Sequence, residues 1–160
     1  MKKKIFTVHE AEESTGFLLW QVTKVWERAI KSALKKYGIT HPQFVVLASM
    51  LWFHLHEVPI NQITLSTHTK IDPMTLSVIL RTLERDRYVK RMGDKSDMRA
   101  KQITLTSQSM KIITGAIQTI ERVDKLFFQR LKNISTTDFN RHLLALLANQ
   151  SGNKRSNGHN

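Results

Sequence analysis

From residue 14 onward, apolar positions recur three and four residues apart, and this spacing predicts six helices. Residues 14–37 form the first, with Leu18, Val22, Val25, Ala29 and Ala33 in one stripe widened by Trp26, Ile30, Leu34 and Tyr37. Lys24, Arg28, Lys31 and Lys35 run beside the stripe, and Gly38 is the expected stop. Thr40-His41-Pro42-Gln43 has the form of a capping box opening a second helix, with Phe44, Leu47, Ala48, Leu51 and Leu55 on one face. Pro59 ends the turn that follows. Asn61 caps a short third helix to His68, with Ile63, Leu65 and Thr69 facing inward. Its Thr64, Ser66, Thr67 and Thr69 are poor helix formers, so tertiary packing must hold it. Lys70 and Ile71 make a tight turn. Asp72 then caps a fourth helix with Pro73 at its first position, where a missing N–H costs nothing. Leu76, Ile79, Leu80 and Leu83 face the core of that helix, and Met74, Thr75, Ser77, Val78, Arg81, Thr82 and Arg85 face outward.

The period then changes from helix to strand. Tyr88 to Met92 and Lys101 to Thr106 read as two strands, the second with Ile103 and Leu105 alternating with polar neighbours, around a polar tip from Gly93 to Ala100. A long fifth helix opens at Thr106 or Ser107 and runs to about Asn133, with Met110, Ile113, Ile117, Ile120, Phe127 and Leu131 at 3–4 spacing and Asp124 interrupting the seam. Ser135-x-x-Asp138 caps a sixth, with Phe139, Leu143, Leu146 and Leu147 on its apolar face. Residues 151–160 carry no pattern and are expected to be a disordered tail behind a single domain over 1–150. The fold class is mainly α with a small β-hairpin.

Composition narrows the partner. The 160 residues carry 25 Lys and Arg against 13 Asp and Glu, a formal net charge of +12, which points to a polyanion and first to nucleic acid. There is no cysteine, so disulfides, zinc–thiolate sites and thiol redox sensing are excluded for this sequence. The basic start Met1-Lys2-Lys3-Lys4 is not followed by an apolar stretch of signal-peptide length, and no run approaches the roughly 18 residues of a membrane span. A cytoplasmic protein with no membrane association is expected.

A helix, a tight turn and a second helix followed by a basic hairpin is the order of a winged helix-turn-helix. Its second helix fits the major groove, where base edges are distinguishable. On this helix Thr75 and Ser77 can donate or accept, Val78 can touch a thymine methyl, and Arg81 can reach guanine or phosphate. Without the hairpin, the same polar face would read as ordinary solvated surface. The hairpin adds Lys90, Arg91, Lys95, Arg99 and Lys101, and an arginine at its tip can enter a narrow minor groove. Asp97, two residues before Arg99, makes sense there as the carboxylate that orients the guanidinium.

The run Asp97-Met98-Arg99-Ala100-Lys101-Gln102-Ile103-Thr104-Leu105-Thr106 resembles the wing signature of the MarR family of transcription regulators: Asp-x-Arg, a small residue, then a strand ending Leu-Thr. Asp72 to Glu84 is similar to that family's recognition helix, and the likeness covers roughly residues 14–148. It implies an intertwined, triangular homodimer. The dimerisation helices would lie at about 10–38 and 107–149, around winged lobes at about 40–106. It also implies that Arg99 enters the minor groove, that Asp97 holds it, and that Thr75, Ser77, Val78 and Arg81 face the bases. The chain departs from the pattern at Val78, where many members have Arg; at Lys70, often Gly; and at Asp86-Arg87, where Lys-Gly is usual. The residues support a dimer independently, because the first, fifth and sixth helices carry more apolar surface than one small lobe can cover.

Further candidates come from the aromatic residues. Trp20, Trp26, Trp52 and Phe53 read first as core or dimer packing. The family's habit of binding small aromatic acids between dimer helices and lobe makes Trp20, Trp52 and His54 the candidate effector residues. His54 and His56, two apart on a helix, point about 160° from each other, which is wrong for one metal site. The expected function is a sequence-specific, double-stranded-DNA-binding regulator, an effector-released repressor on a pseudo-palindromic operator, with no enzyme activity, cofactor or metal. The alternative is a nucleic-acid-binding protein without sequence preference.

Overall fold

The computed structural model describes residues 7–92 and 102–148. Its helices are α1 (Thr15–Leu34), α2 (His41–Leu55), α3 (Gln62–Thr69), α4 (Pro73–Arg85), α5 (Ser107–Phe128) and α6 (Thr136–Ala148). The strands β1 (Val89–Met92) and β2 (Gln102–Leu105) lie between α4 and α5 and pair antiparallel, with Val89 opposite Leu105 and Arg91 opposite Ile103. The chain divides into two compact units, Met1–Val123 and Asp124–Asn160, with the boundary inside the continuous helix α5.

In the first unit, local signals end the elements where the sequence places them. A 3-10 turn, Lys35–Tyr37, follows α1 and stops at Gly38, whose φ of 66° suits a residue without Cβ. Thr40 and Gln43 complete a reciprocal capping box at α2, and Asn61 does the same with Thr64 at α3. The core draws Ile30 and Leu34 from α1, Val46, Leu47 and Met50 from α2, Leu65 from α3, Leu76, Leu80 and Leu83 from α4, and Ile113 and Ala116 from α5. Val89 and Ile103 of the hairpin close it. Tyr37 links the end of α1 to α5: its hydroxyl donates to the Gly115 carbonyl at 2.6 Å and lies 2.7 Å from Thr119 Oγ1. Gly115 permits that approach, since a Cβ there would sit 3.3 Å from the Tyr37 ring.

Several expectations need correction. Ile63 is 76% exposed, because it lies two residues from Leu65 and a helix turns about 200° over that interval. Leu55 is 69% exposed, since α2 buries Val46, Leu47, Met50, Leu51 and Phe53 and its last residue lies beyond them. The fifth helix ends at Phe128, not near Asn133. The Leu131 and Lys132 amides bond Phe128 and Arg130 in tight turns, so Leu131 is not on the helix seam. Ala116 and Ser109, absent from the expected stripe, are both fully buried.

In the second unit, Ser135 Oγ accepts the Asp138 amide at 3.0 Å and caps α6. The Phe128 and Phe139 rings lie 5.8 Å apart. No residue of α6 is buried, and Leu144, Leu146 and Leu147 lie exposed.

Truncating the seat of α4 tests this core. Leu80→Ala is expected to destabilise the protein by about 2–5 kcal/mol, through lost transfer energy plus a cavity. Urea unfolding should show the midpoint falling with an unchanged slope.

Candidate nucleic-acid interface

The interface is built from α3, its turn, α4 and the hairpin. Between the helices Lys70 adopts φ 59°, the left-handed conformation that glycine usually supplies. Three bonds hold the corner. Ser66 Oγ donates to the Ile71 carbonyl at 2.7 Å, the Ile71 amide donates to Thr69 Oγ1 at 3.3 Å, and Gln62 Nε2 donates to the Pro73 carbonyl at 3.0 Å. Asp72 then caps α4, accepting the Thr75 amide at 2.9 Å. The Thr75 side chain first, and its amide second, hold the Asp72 carboxyl below its ordinary value of 3.8.

The helix is divided cleanly in two. Leu76, Leu80 and Leu83 have no exposed surface, whereas Met74 and Val78 are 83% and 55% exposed. Thr75 and Arg81 share the exposed side, and Ser77 is half-buried beside them. Arg81 Nε donates to the Ser77 carbonyl at 3.3 Å, so the guanidinium lies back along the helix. Thr75, Val78 and Arg81 therefore lie on the exposed side, with Ser77 half-buried at its margin and Thr75 also engaged by the cap.

The end of α4 fixes the root of the hairpin. The Tyr88 amide reaches back to the Leu83 carbonyl at 2.8 Å and the Arg87 amide to Glu84 at 3.0 Å, with Arg87 at φ 61°. This is the paired-bond stop that glycine normally serves, here with arginine. Two of the three departures from the family pattern, Lys70 and Asp86-Arg87, thus include a left-handed residue, and the third, Val78, lies inside α4. The Ile103 amide donates to the Ile60 carbonyl at 3.1 Å, and Thr106 Oγ1 to the Arg87 carbonyl at 2.9 Å, tying the hairpin to the lobe on two sides.

Among the hairpin candidates, Lys90 is exposed, but Arg91 is turned inward, its Nε 3.3 Å from Glu84 Oε2. Lys95, Asp97, Arg99 and Lys101 lie outside the described residues. Sequence reasoning missed Glu84, Gln62 and Ser66. Their partners are set by the packing of the corner rather than by helical spacing.

The effector candidates occupy different neighbourhoods. Trp20 stacks on Phe17 at 6.1 Å, whereas Trp52 stacks on His56 at 4.1 Å and on His68 at 5.5 Å. His54 lines a cleft of about 210 Å³ with residues 57–60 and 102–104. A cleft of about 540 Å³ opens at the elbow of α1 and α2, lined by Glu27, Lys31, Lys35 and residues 38–42. Glu27 there is engaged by Lys24 at 2.7 Å, which holds its carboxyl below the usual range. No group of three His, Cys, Asp or Glu among the described residues could hold a metal, and no described helix is long and apolar enough to cross a membrane.

This architecture has known counterparts. The family model described as transcriptional regulator SarA/Rot matches residues 28–115. The chain belongs to that group of MarR-family winged helix-turn-helix regulators. It is similar to YdcH of Bacillus subtilis (strain 168), an uncharacterized HTH-type transcriptional regulator, with 34% identity over 115 residues, 72% of this chain and 78% of that protein. It is 28% identical to the HTH-type transcriptional repressor Rv2887 of Mycobacterium tuberculosis, over 80% of this chain and 89% of the repressor. The structure of Rv2887 in complex with salicylic acid aligns over 83% of this chain and 96% of its own, with a TM-score of 0.59 at 26% identity. MepR of S. aureus, solved in complex with DNA, shares the fold with a TM-score of 0.72 at 19% identity over 89% and 98% of the two chains. This MarR-family chain is a DNA-binding transcription regulator.

The cap on α4 titrates in a predictable direction. With its folded value depressed, Asp72 contributes stability that is complete above its ordinary value of 3.8 and is lost as pH falls through the lower folded value. Asp72→Asn keeps an acceptor that cannot titrate. Wild type should therefore be the more stable near neutrality, and the difference between the two should shrink only as pH falls below that ordinary value in urea titrations.

Proposed function

We propose that the protein is a cytoplasmic repressor, without catalytic activity, that binds a pseudo-palindromic operator as an intertwined homodimer and is released by a small aromatic effector. The observation that carries the reading is the division of α4, with one face sealed in the core by Leu76, Leu80 and Leu83 and the other presenting Thr75, Val78 and Arg81 uncovered. A net charge of +12 supplies the attraction to phosphate. On this reading Thr75, Ser77, Val78 and Arg81 meet base edges in the major groove. The sequence pattern assigns Lys95, Arg99 and Lys101 to DNA contact, with Asp97, by the family likeness, as the partner of Arg99. Valine at 78 offers a methyl contact to thymine in place of a fork to guanine.

The dimer rests on exposed apolar surface. Phe17, Leu18, Leu19, Trp20, Val22 and Val25 of α1 lie between 38% and 57% exposed, and Leu144, Leu146 and Leu147 of α6 between 50% and 65%. Such a density of apolar side chains is the mark of an interface. A twofold dimer reads half-sites about one DNA turn apart, ~10 bp. An effector releases DNA if it binds better to a lobe spacing that does not match successive grooves. Trp20, Trp52 and His54 are aromatic candidates for that contact. The elbow cleft, with Lys31 and Lys35 on its wall, also has the size and charge for an aromatic acid.

Footprinting on genomic DNA tests the reading. A short palindromic protected site is expected, with dimer stoichiometry and a fall of roughly 10³–10⁵ in affinity between about 50 and 200 mM salt. Val78→Arg should change the preferred base while leaving binding to random duplex intact. Uniform protection of any duplex would instead establish a protein without sequence preference.

A further inference from the structure

Arg91 stands out as a charge that the DNA-binding reading does not absorb. It lies on β1 opposite Ile103, which is 3% exposed, so its side chain leaves the hairpin on the core side. The next residue back, Lys90, points to solvent. The Arg91 side chain is only 23% exposed, and Nε and Nη2 are buried with no hydrogen-bond partner among the described residues. Among the described residues its countercharge is Glu84 Oε2, 3.3 Å from Nε, on the last turn of α4. A guanidinium this enclosed is costly unless a carboxylate faces it, and removing Glu84, whose own side chain is 42% exposed, leaves the guanidinium without that countercharge.

We infer that Arg91 is a positioning residue: paired with Glu84, it fixes the angle between the recognition helix and the wing, and so sets operator specificity without contacting DNA. The inference rests on the reading of α4 and the hairpin as the DNA face. Two parts of that face are joined here by this charge pair. Glu84 is rooted in α4, whose other side is sealed by Leu80 and Leu83, and Arg91 is rooted in the ladder with β2. The intervening residues, Arg85 to Tyr88, are a turn tied to the end of β2 through their carbonyls, Arg87 to Thr106 Oγ1 and Tyr88 to the Thr106 amide, with no charged side chain in either bond. Sliding or rotating the wing would separate the pair. A phosphate contact would need the N–H groups to face outward, and two of the three guanidinium nitrogens are closed off.

The affinities of wild type, Arg91→Gln, Arg91→Lys, Glu84→Gln and the Arg91→Gln/Glu84→Gln double variant decide the matter. They would be measured by fluorescence anisotropy on the footprinted operator and on a scrambled duplex, across a salt series, with the active fraction fixed by stoichiometric titration. Arg91→Gln and Glu84→Gln should each lower operator affinity about tenfold, with scrambled-duplex affinity unchanged within about twofold and the salt slope unaltered. The double variant should be no worse than the poorer single one, the signature of a coupled pair. Arg91→Lys should restore part of the loss. A salt slope lowered by about 0.9 in Arg91→Gln, with both duplexes weakened alike, would make Arg91 a phosphate contact and overturn the inference. Equal loss on both duplexes with an unchanged slope, or no loss at all, would overturn it too. Failure of the underlying reading is separately visible, because wild type would then not prefer the operator.

Discussion

The proposed base-reading face of this protein depends on the docking of one helix. α4 packs against α2, α3 and β1, and the side chains that do it, Leu76, Leu80 and Leu83, have no exposed surface. Apolar burial is not directional, so these residues fix where the helix lies but not how far it is rotated about the contact. Rotation is settled at its ends. Asp72 takes the first free N–H groups, and Tyr88 and Arg87 return bonds to the last carbonyls. Once both ends and one face are committed, the remaining face has a single orientation, and Thr75, Val78 and Arg81 are delivered to solvent together. Affinity for DNA begins as a packing problem.

The two turns that flank this helix work with residues that are not ideal for them. Lys70 and Arg87 both hold positive φ, which costs most side chains free energy that glycine does not lose. Each places a cation on the surface beside α4, where it adds to the net charge of +12 that attracts phosphate. Local backbone strain is tolerated because the surrounding bonds over-determine the turns, the corner at Ser66, Thr69 and Gln62 in one case and the paired return bonds in the other.

The helical order was legible because its signals are local. Capping boxes at Thr40 and Asn61, the Asp-Pro start of α4 and the glycine after α1 each announce themselves within four residues, and all four are present. Misreadings arose where the choice of buried face or the packing partner had to be guessed. Ile63 looked like a core residue, yet Leu65 alone faces the interior of a helix two turns long. Ala116 is small enough to escape a search for large apolar side chains, and it is buried for that reason at the approach of α5 to the lobe. Arg91 was grouped with the cations of the wing. The strand alternation that sends Ile103 inward sends its cross-strand partner the same way, so the register supplies the correction that composition could not.

The fate of the charges separates attraction from recognition. Exposed pairs such as Lys24–Glu27 and Arg141–Asp138 lie in water at high dielectric, add little to stability and are screened by salt. The cations that remain unpaired attract any duplex and confer no sequence preference. Preference requires that several weak base contacts form at once, which demands that recognition helix and wing keep a fixed geometry while the DNA is read. Surface charge cannot supply that rigidity, because its forces are long-ranged and soft. A contact such as Arg91–Glu84, with its guanidinium largely enclosed, can, since displacement of the wing changes its energy more steeply than that of a pair held fully in water. The lobe therefore needs charge of two kinds, one held in water to find DNA and one held in the protein to keep the reading surfaces aligned.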